Sequence, residues 1–171
     1  MYGMFNGCES LVELKQNFDT SDVKDMSAMF CGCEEMSELD LSNFNTEQII
    51  NMNYIFHGCN KLSDLDISSF KTPRLVDATH LFSWNDVIES VDLSSFSLNN
   101  IDKLDYCFMF CKQLKYVKFP ELTLDQIEQI RDLDRGVFYE CSKLEYITYK
   151  QSGIEVRKSI LRNPKTNKLF N

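Results

Sequence analysis

A phenylalanine returns in this chain at almost constant intervals, and each return brings the same apolar positions with it. Reading three, six and nine residues onward, Phe5 leads to Cys8, Leu11 and Leu14, Phe30 to Cys33, Met36 and Leu39, and Phe56 to Cys59, Leu62 and Leu65. Phe82 leads to Asn85, Ile88 and Val91, Phe108 to Cys111, Leu114 and Val117, and Phe138 to Cys141, Leu144 and Ile147. The anchors stand 25, 26, 26, 26 and 30 residues apart. Six units at one period form an array in which each unit shields its apolar side against the next, so neighbours must stack. The composition can support such a core. Hydrophobic residues make up 43% of the 171, with three prolines and six glycines, which argues against a disordered or collagen-like chain.

Within a unit the periodicity changes once. Val23, Met26, Met29, Phe30 and Cys33 fall at helical offsets, as do Ile49, Met52, Ile55, Phe56 and Cys59, and Ile101, Leu104, Phe108 and Cys111. This spacing predicts a short one-sided helix, started by Thr20 or Ser21 and by Thr46 as capping residues. After the cysteine the pattern shortens to alternation in Leu39-Asp40-Leu41, Leu65-Asp66-Ile67, Val91-Asp92-Leu93 and Val117-Lys118-Phe119, which reads as a very short strand. A further column, Phe18, Phe44, Phe70 and Phe96, fills the following turn, with Ser42, Ser68 and Ser94 placed to hydrogen-bond backbone there. The expected fold is α/β: about six stacked strand-plus-short-helix units over residues 1–149. A basic hairpin-like cap is expected over 150–171, with a basic interaction tail as the rival reading.

The recurring string is Met29-Phe30-Cys31-Gly32-Cys33-Glu34-Glu35-Met36-Ser37-Glu38-Leu39-Asp40-Leu41-Ser42-Asn43-Phe44-Asn45-Thr46, repeated from Ile55-Phe56-His57-Gly58-Cys59 to Phe70-Lys71-Thr72. It resembles the BspA-type, Treponema-type leucine-rich repeat, in the variant abundant in mycoplasma, other bacterial and protist surface proteins. The resemblance covers residues 1–149 and implies a leucine-rich-repeat solenoid without catalytic residues, used on a cell surface for adhesion or protein binding. Asn85 stands where the pattern has Cys, and Trp84 and Phe110 stand where it has Gly.

Cys8, Cys33, Cys59, Cys111 and Cys141 share one repeat position and read as a ladder of small buried thiols. Parallel side chains in a stack do not face each other as a disulfide requires. An odd total of seven fits a reduced compartment better than an oxidising one. The start, Met1 to Glu9, has neither the basic end nor the apolar core of a secretory signal. With no anchor visible, the compartment stays open between the surface that the resemblance implies and the cytoplasm. Cys31 with His57, and Cys107 with Cys111, do not supply four converging ligands, so no metal or other cofactor is expected. No run approaches 18 apolar residues, so no membrane span is expected. The formal charge of −8 argues against nucleic acid as partner.

The outward strand positions form two columns. One reads Lys15, Asp40, Asp66, Asp92, Lys118, Thr148, and the other Glu13, Glu38, Asp64, Ser90, Tyr116, Tyr146. Asp40, Asp66 and Asp92 either accept hydrogen bonds from the following turns or belong to a surface that meets a partner; a weak calcium site is the third reading. Tyr116, Lys118 and Tyr146 make the most protein-like patch. Trp84 and Phe110 either fill the gap left where Asn85 replaces Cys or form an exposed aromatic spot. Met1 aligns with Met26, so the first unit begins inside its repeat, and self-association through that N-terminal unit is expected as one way of covering it. In the C-terminal part, Glu128 to Arg135 is expected as a polar helical stretch, Ile154-Glu155-Val156 as a strand, and Ile160-Leu161 as a partner for Leu169-Phe170 across a turn at Asn163-Pro164.

No Ser–His–Asp or Cys–His grouping recurs and no glycine-rich phosphate loop is present, so no enzyme is expected. The leading expectation is a protein-binding or adhesion module that presents a parallel-strand face to a protein partner. The alternative is a structural segment that stacks or dimerises through its N-terminal repeat.

Overall fold

The computed structural model describes residues 1–132 and 136–159. The anchors do lie in one continuous row. Successive rings of Phe5, Phe30, Phe56, Phe82, Phe108 and Phe138 stack at centroid distances of 5.3–5.9 Å. From Phe30 onward each is almost fully buried. The second row begins Phe18 to Phe44 at 6.2 Å and continues Phe70 to Phe96 at 5.9 Å. Equivalent positions of neighbouring units therefore sit one above another.

The units are not strand plus helix, and the six-unit leucine-rich-repeat solenoid is corrected accordingly. Among the described residues there are two small sheets and one helix. Strands β1 (Glu13–Leu14) and β2 (Glu38–Leu39) pair in parallel. Strands β3 (Ser90–Asp92), β4 (Tyr116–Glu121), β5 (Tyr146–Gln151) and β6 (Ile154–Ser159) form the other sheet in chain order; its first three members are parallel, and β6 is antiparallel to β5. Leu65-Asp66-Ile67 is not a strand, so the two sheets stay separate. The helix, α1 (Leu124–Arg131), lies between β4 and β5 and starts earlier than the polar stretch expected at Glu128 to Arg135. Thr123 caps it, accepting from the amide of Gln126 while the Gln126 side chain accepts from the amide of Thr123. The hairpin expected beyond Ser159 lies outside the described residues.

Where helices were expected, the chain runs as consecutive tight turns. The amides of Met29, Cys31 and Cys33 donate to the carbonyls three residues back, at Met26, Ala28 and Phe30. The intervening amides of Met26, Ala28, Phe30 and Gly32 leave the unit and donate to Asn51, Asn53, Ile55 and His57. Apolar residues three and four apart suit a helix, but they equally suit stacked turns whose inward corners recur every three or four residues. Left-handed residues at Ala28 and Gly32, with φ of 53° and 70°, rule out an α-helix through this segment. Thr20 and Thr46 consequently cap nothing. Each buried threonine hydroxyl instead bridges to the next unit, and so does that of Thr72. Thr46 Oγ1 donates to the carbonyl of Lys71 at 2.8 Å and accepts from its amide at 2.8 Å.

The cysteine column has a hydrogen-bonding role as well as a packing one. The thiols of Cys33, Cys59, Cys111 and Cys141 each donate to a phenylalanine carbonyl of the preceding unit at 2.9–3.2 Å. Asn85 stands in the same place and its amide nitrogen donates to the carbonyls of Phe56 and Phe82, at 2.8 and 2.6 Å. Cys8, in the first unit, is exposed, and all seven cysteines are free thiols.

Candidate functional site

Two columns flank each anchor, two residues before and two residues after it, and both are left-handed in every unit. The earlier column is Gly3, Ala28, Tyr54, His80, Tyr106 and Gly136, with φ between 53° and 59°. The later one is Gly7, Gly32, Gly58, Trp84, Phe110 and Glu140, with φ between 58° and 73°. Glycine accepts this backbone without cost, whereas a side chain there costs roughly 1–2 kcal/mol. Even so, the third to fifth units carry large residues at five of these six positions, Tyr54, His80, Trp84, Tyr106 and Phe110, with Gly58 the exception.

Those residues make one aromatic face on the turn side. Tyr54, His80 and Tyr106 stack in order, at 4.6 and 5.1 Å between ring centroids. Trp84 lies 4.4 Å from Phe110, and Tyr139 meets Phe110 edge-on at 5.6 Å. Trp84 is 44% exposed and Tyr139 49%. Of the two readings of Trp84 and Phe110, gap-filling fails, because Asn85 is buried, hydrogen-bonded twice and leaves nothing to fill. The exposed Trp84 and the half-buried Phe110 form an aromatic spot, and the rings around them extend it.

Inside this face the two histidines converge on one hydroxyl. His57 Nδ1 is 2.6 Å from Ser83 Oγ and His80 Nδ1 is 3.1 Å from it, while Ser83 Oγ also reaches the His80 carbonyl at 3.1 Å. Ser83 is completely buried and both imidazoles are half-buried. Burial lowers the His57 pKa, and the charge on His80 lowers it further. Burial also lowers that of His80, against an opposing pull from Asp105. A usable signal was present in the sequence: His57 and Ser83 each follow an anchor directly, so register puts them side by side.

The strand-side residues group differently. Tyr116 and Tyr146 stack at 5.5 Å with nearly parallel rings, and the Arg157 guanidinium lies 3.6 Å over Tyr146. Tyr116 is 41% exposed. Lys118 is paired with Asp92 at 3.0 Å. Asp40, Asp66 and Asp92 accept from the backbone amides of Ser42, Ser68 and Ser94 at 2.8–2.9 Å. Hydrogen bonds from the serines hold the Asp40 and Asp66 carboxyls below their ordinary pKa. The serine side chains that reach backbone across units are those one residue later, Ser69 to Leu41 and Ser95 to Ile67. Among the described residues no group of three or more His, Cys, Asp or Glu side chains is arranged to hold a metal ion. Among the described residues no helix is long and apolar enough to cross a membrane.

The proposed use of the strand face for adhesion or protein binding, and the stacking alternative, both rested on the leucine-rich-repeat architecture and fall with it. The comparisons with known proteins correct the family as well. No curated protein and no solved structure matches the chain. One family does match, over residues 1–119, and it is not the BspA-type repeat family, so the surface-protein and adhesion properties implied by that resemblance are withdrawn. The match spans well over half the sequence, and the chain belongs to the family described as Mycoplasma protein of unknown function, DUF285.

Proposed function

We propose that this chain works without catalysis, as a rigid carrier whose turn-side aromatic face is recognised by a protein partner. The observation that carries this reading is the set of five large residues held in left-handed backbone: Tyr54, His80, Trp84, Tyr106 and Phe110. Glycine or alanine occupies the same columns in the first two units, so the fold itself does not call for rings there. Strain kept at bulky, partly exposed positions is a mark of selection for something other than stability. Tyrosine and tryptophan combine a large apolar area with a polar edge, which suits a protein surface. Both Ser–His contacts described meet at Ser83, which is sealed from solvent, and this supports a non-catalytic role.

The test exploits the strain. Trp84→Gly combined with Phe110→Gly restores the residue type of the first three units, so relief of about 1 kcal/mol per position offsets lost ring contacts. Urea unfolding should shift by no more than about 1 kcal/mol. Partner retention on the immobilised chain should fall at least tenfold, while Tyr116→Ala on the strand side retains it. Equal retention by the double glycine variant would refute the aromatic face as the recognition surface.

A further inference from the structure

We infer that a cavity between the fourth unit's turn and the ends of β4 and β5 binds a neutral, polyhydroxylated molecule of the size of a short saccharide. The site stands on residues that the turn-side aromatic face does not use.

The cavity opens where a bridge between turns is missing. Thr20, Thr46 and Thr72 each tie one turn to the next through a buried hydroxyl, which donates to the carbonyl and accepts from the amide of one residue. One period later the position is Leu98, which has no hydroxyl to bridge with. The Leu98 carbonyl accepts from the Gln126 side chain at 2.6 Å, so α1 stands where the next turn would have been tied. The strands lengthen at the same place: β4 and β5 have six residues each, against two or three in β1, β2 and β3. Their register shifts between Lys118 and Glu121, around Pro120, which brings no amide to the ladder. The space left between the turn at 97–99 and the far ends of these strands is about 1080 Å³, room for a small molecule.

The lining has two parts. Phe96, Leu98, Phe119, Leu122 and Tyr149 form a back wall, yet each is at most 4% exposed and offers a ligand little area. The accessible groups are polar: Ser97, Asn99, Thr148, Lys150, Gln151 and Ser152. Among the described residues none of these six side chains has a hydrogen-bond or ion-pair partner in the protein. Thr148 and Lys150 lie two apart on β5 and so project from the same side of the strand.

Lys150 shows what chemistry the site suits. Lys61, Lys112, Lys115 and Lys118 each pair with the acid one unit earlier, Glu35, Asp86, Glu89 and Asp92, at 2.5–3.3 Å. Lys150 has an acid in register on either side, Glu121 on β4 and Glu155 on β6, and closes an ion pair with neither. The Glu121 carboxylate accepts from the Gly153 amide at 3.2 Å. An ammonium with three hydrogens to give thus stands among carboxylates that only accept. Hydroxyls on adjacent carbons suit that alternation, because each gives one hydrogen and takes another. Charge excludes the other ligand classes. Lys118 and Lys150 are matched within the lining by Glu121 and Glu155, and Lys118 is already paired with Asp92. An anion finds no excess of positive charge there, and a cation meets Lys150.

The test titrates the whole protein with maltose, cellobiose and lactose up to about 10 mM, the range of weak binding, while backbone amide shifts are followed. At least one sugar should shift amides at 97–99 and 148–152 and leave those of the first three units in place. Lys150→Met should weaken that binding about tenfold and Thr148→Val about threefold, the scale of a charged and of a neutral hydrogen bond. Lys24→Met, at an exposed lysine outside the cavity, should leave it unchanged. Neither Lys150 nor Thr148 bonds to another side chain, so an unaltered urea midpoint accompanies both variants. No shift with any of the three sugars, shifts only outside the cavity, or binding that both variants retain in full would overturn the site. Tighter binding of glucuronate or glucosamine than of the neutral sugars would overturn the ligand class. None of these results bears on whether Trp84 and Phe110 retain a protein partner.

Discussion

Replacing Phe82 by alanine should cost about 3–5 kcal/mol, the usual range for a fully buried ring. Phe82 is 0% exposed and lies between Phe56 at 5.5 Å and Phe108 at 5.3 Å, close to parallel with both. Truncation removes the transfer energy of one side chain, two ring contacts of about 0.5–1.5 kcal/mol each, and the support beneath its neighbours. Domains of this size are commonly stable by only about 5–15 kcal/mol, so a large part of the total is lost. Phe5→Ala is the comparison. Phe5 is half-buried and has a row neighbour on one side only, Phe30 at 5.7 Å, so its loss should cost about 1–2 kcal/mol. Urea unfolding of both variants measures the difference. Equal costs would mean that the row is not the element holding adjacent units together.

Thr72→Val is expected to cost about 2–3 kcal/mol with no change in shape. Thr72 is completely buried; its hydroxyl donates to the carbonyl of Ser97 at 3.2 Å and accepts from the Ser97 amide at 3.0 Å. Valine occupies the same volume, so no cavity term enters. What it leaves behind is the backbone donor and the backbone acceptor of one residue, Ser97, with no partner between stacked turns. Thr72→Ser separates the contributions, because serine restores the hydroxyl and gives up only a methyl group. Serine should recover more than half of the loss. If serine were as damaging as valine, packing rather than the hydrogen-bonded bridge would explain the buried threonine column.

The stacked phenylalanine row was legible in the chain, because period and polarity survive without knowledge of the backbone, whereas the strand-plus-helix units expected around it were wrong. The regular return of Phe30, Phe56, Phe82 and Phe108 demanded a common environment, and their rings do stack. The local conformation between them was not legible. Met26, Met29, Phe30 and Cys33 satisfy a helix and a string of tight turns equally, and glycine at 32 and 58 is the residue that distinguishes the two. At Trp84 and Phe110 the same backbone carries large rings, which hides the left-handed requirement from any reading by residue type. The histidine cluster was obscured for another reason. His57 and Ser83 are 26 residues apart, and they meet only once register between units is taken literally. Asp40, Asp66 and Asp92 drew attention by their repetition, yet each accepts the amide of a serine two residues on.

The thiol column has a consequence for chemistry performed on the protein. Burial raises the Cys33 thiol to about 11 and Cys111 to about 12, and raises Cys59 and Cys107 as well, so their nucleophilic thiolate forms are scarce at neutral pH. Cys8 is exposed, and the half-buried Cys31 comes next in access. An alkylating reagent should therefore mark the N-terminal unit within minutes and reach the inner cysteines only as the units that contain them open. Mapping labelled cysteines against time would order the opening of successive units along one molecule, with no probe introduced.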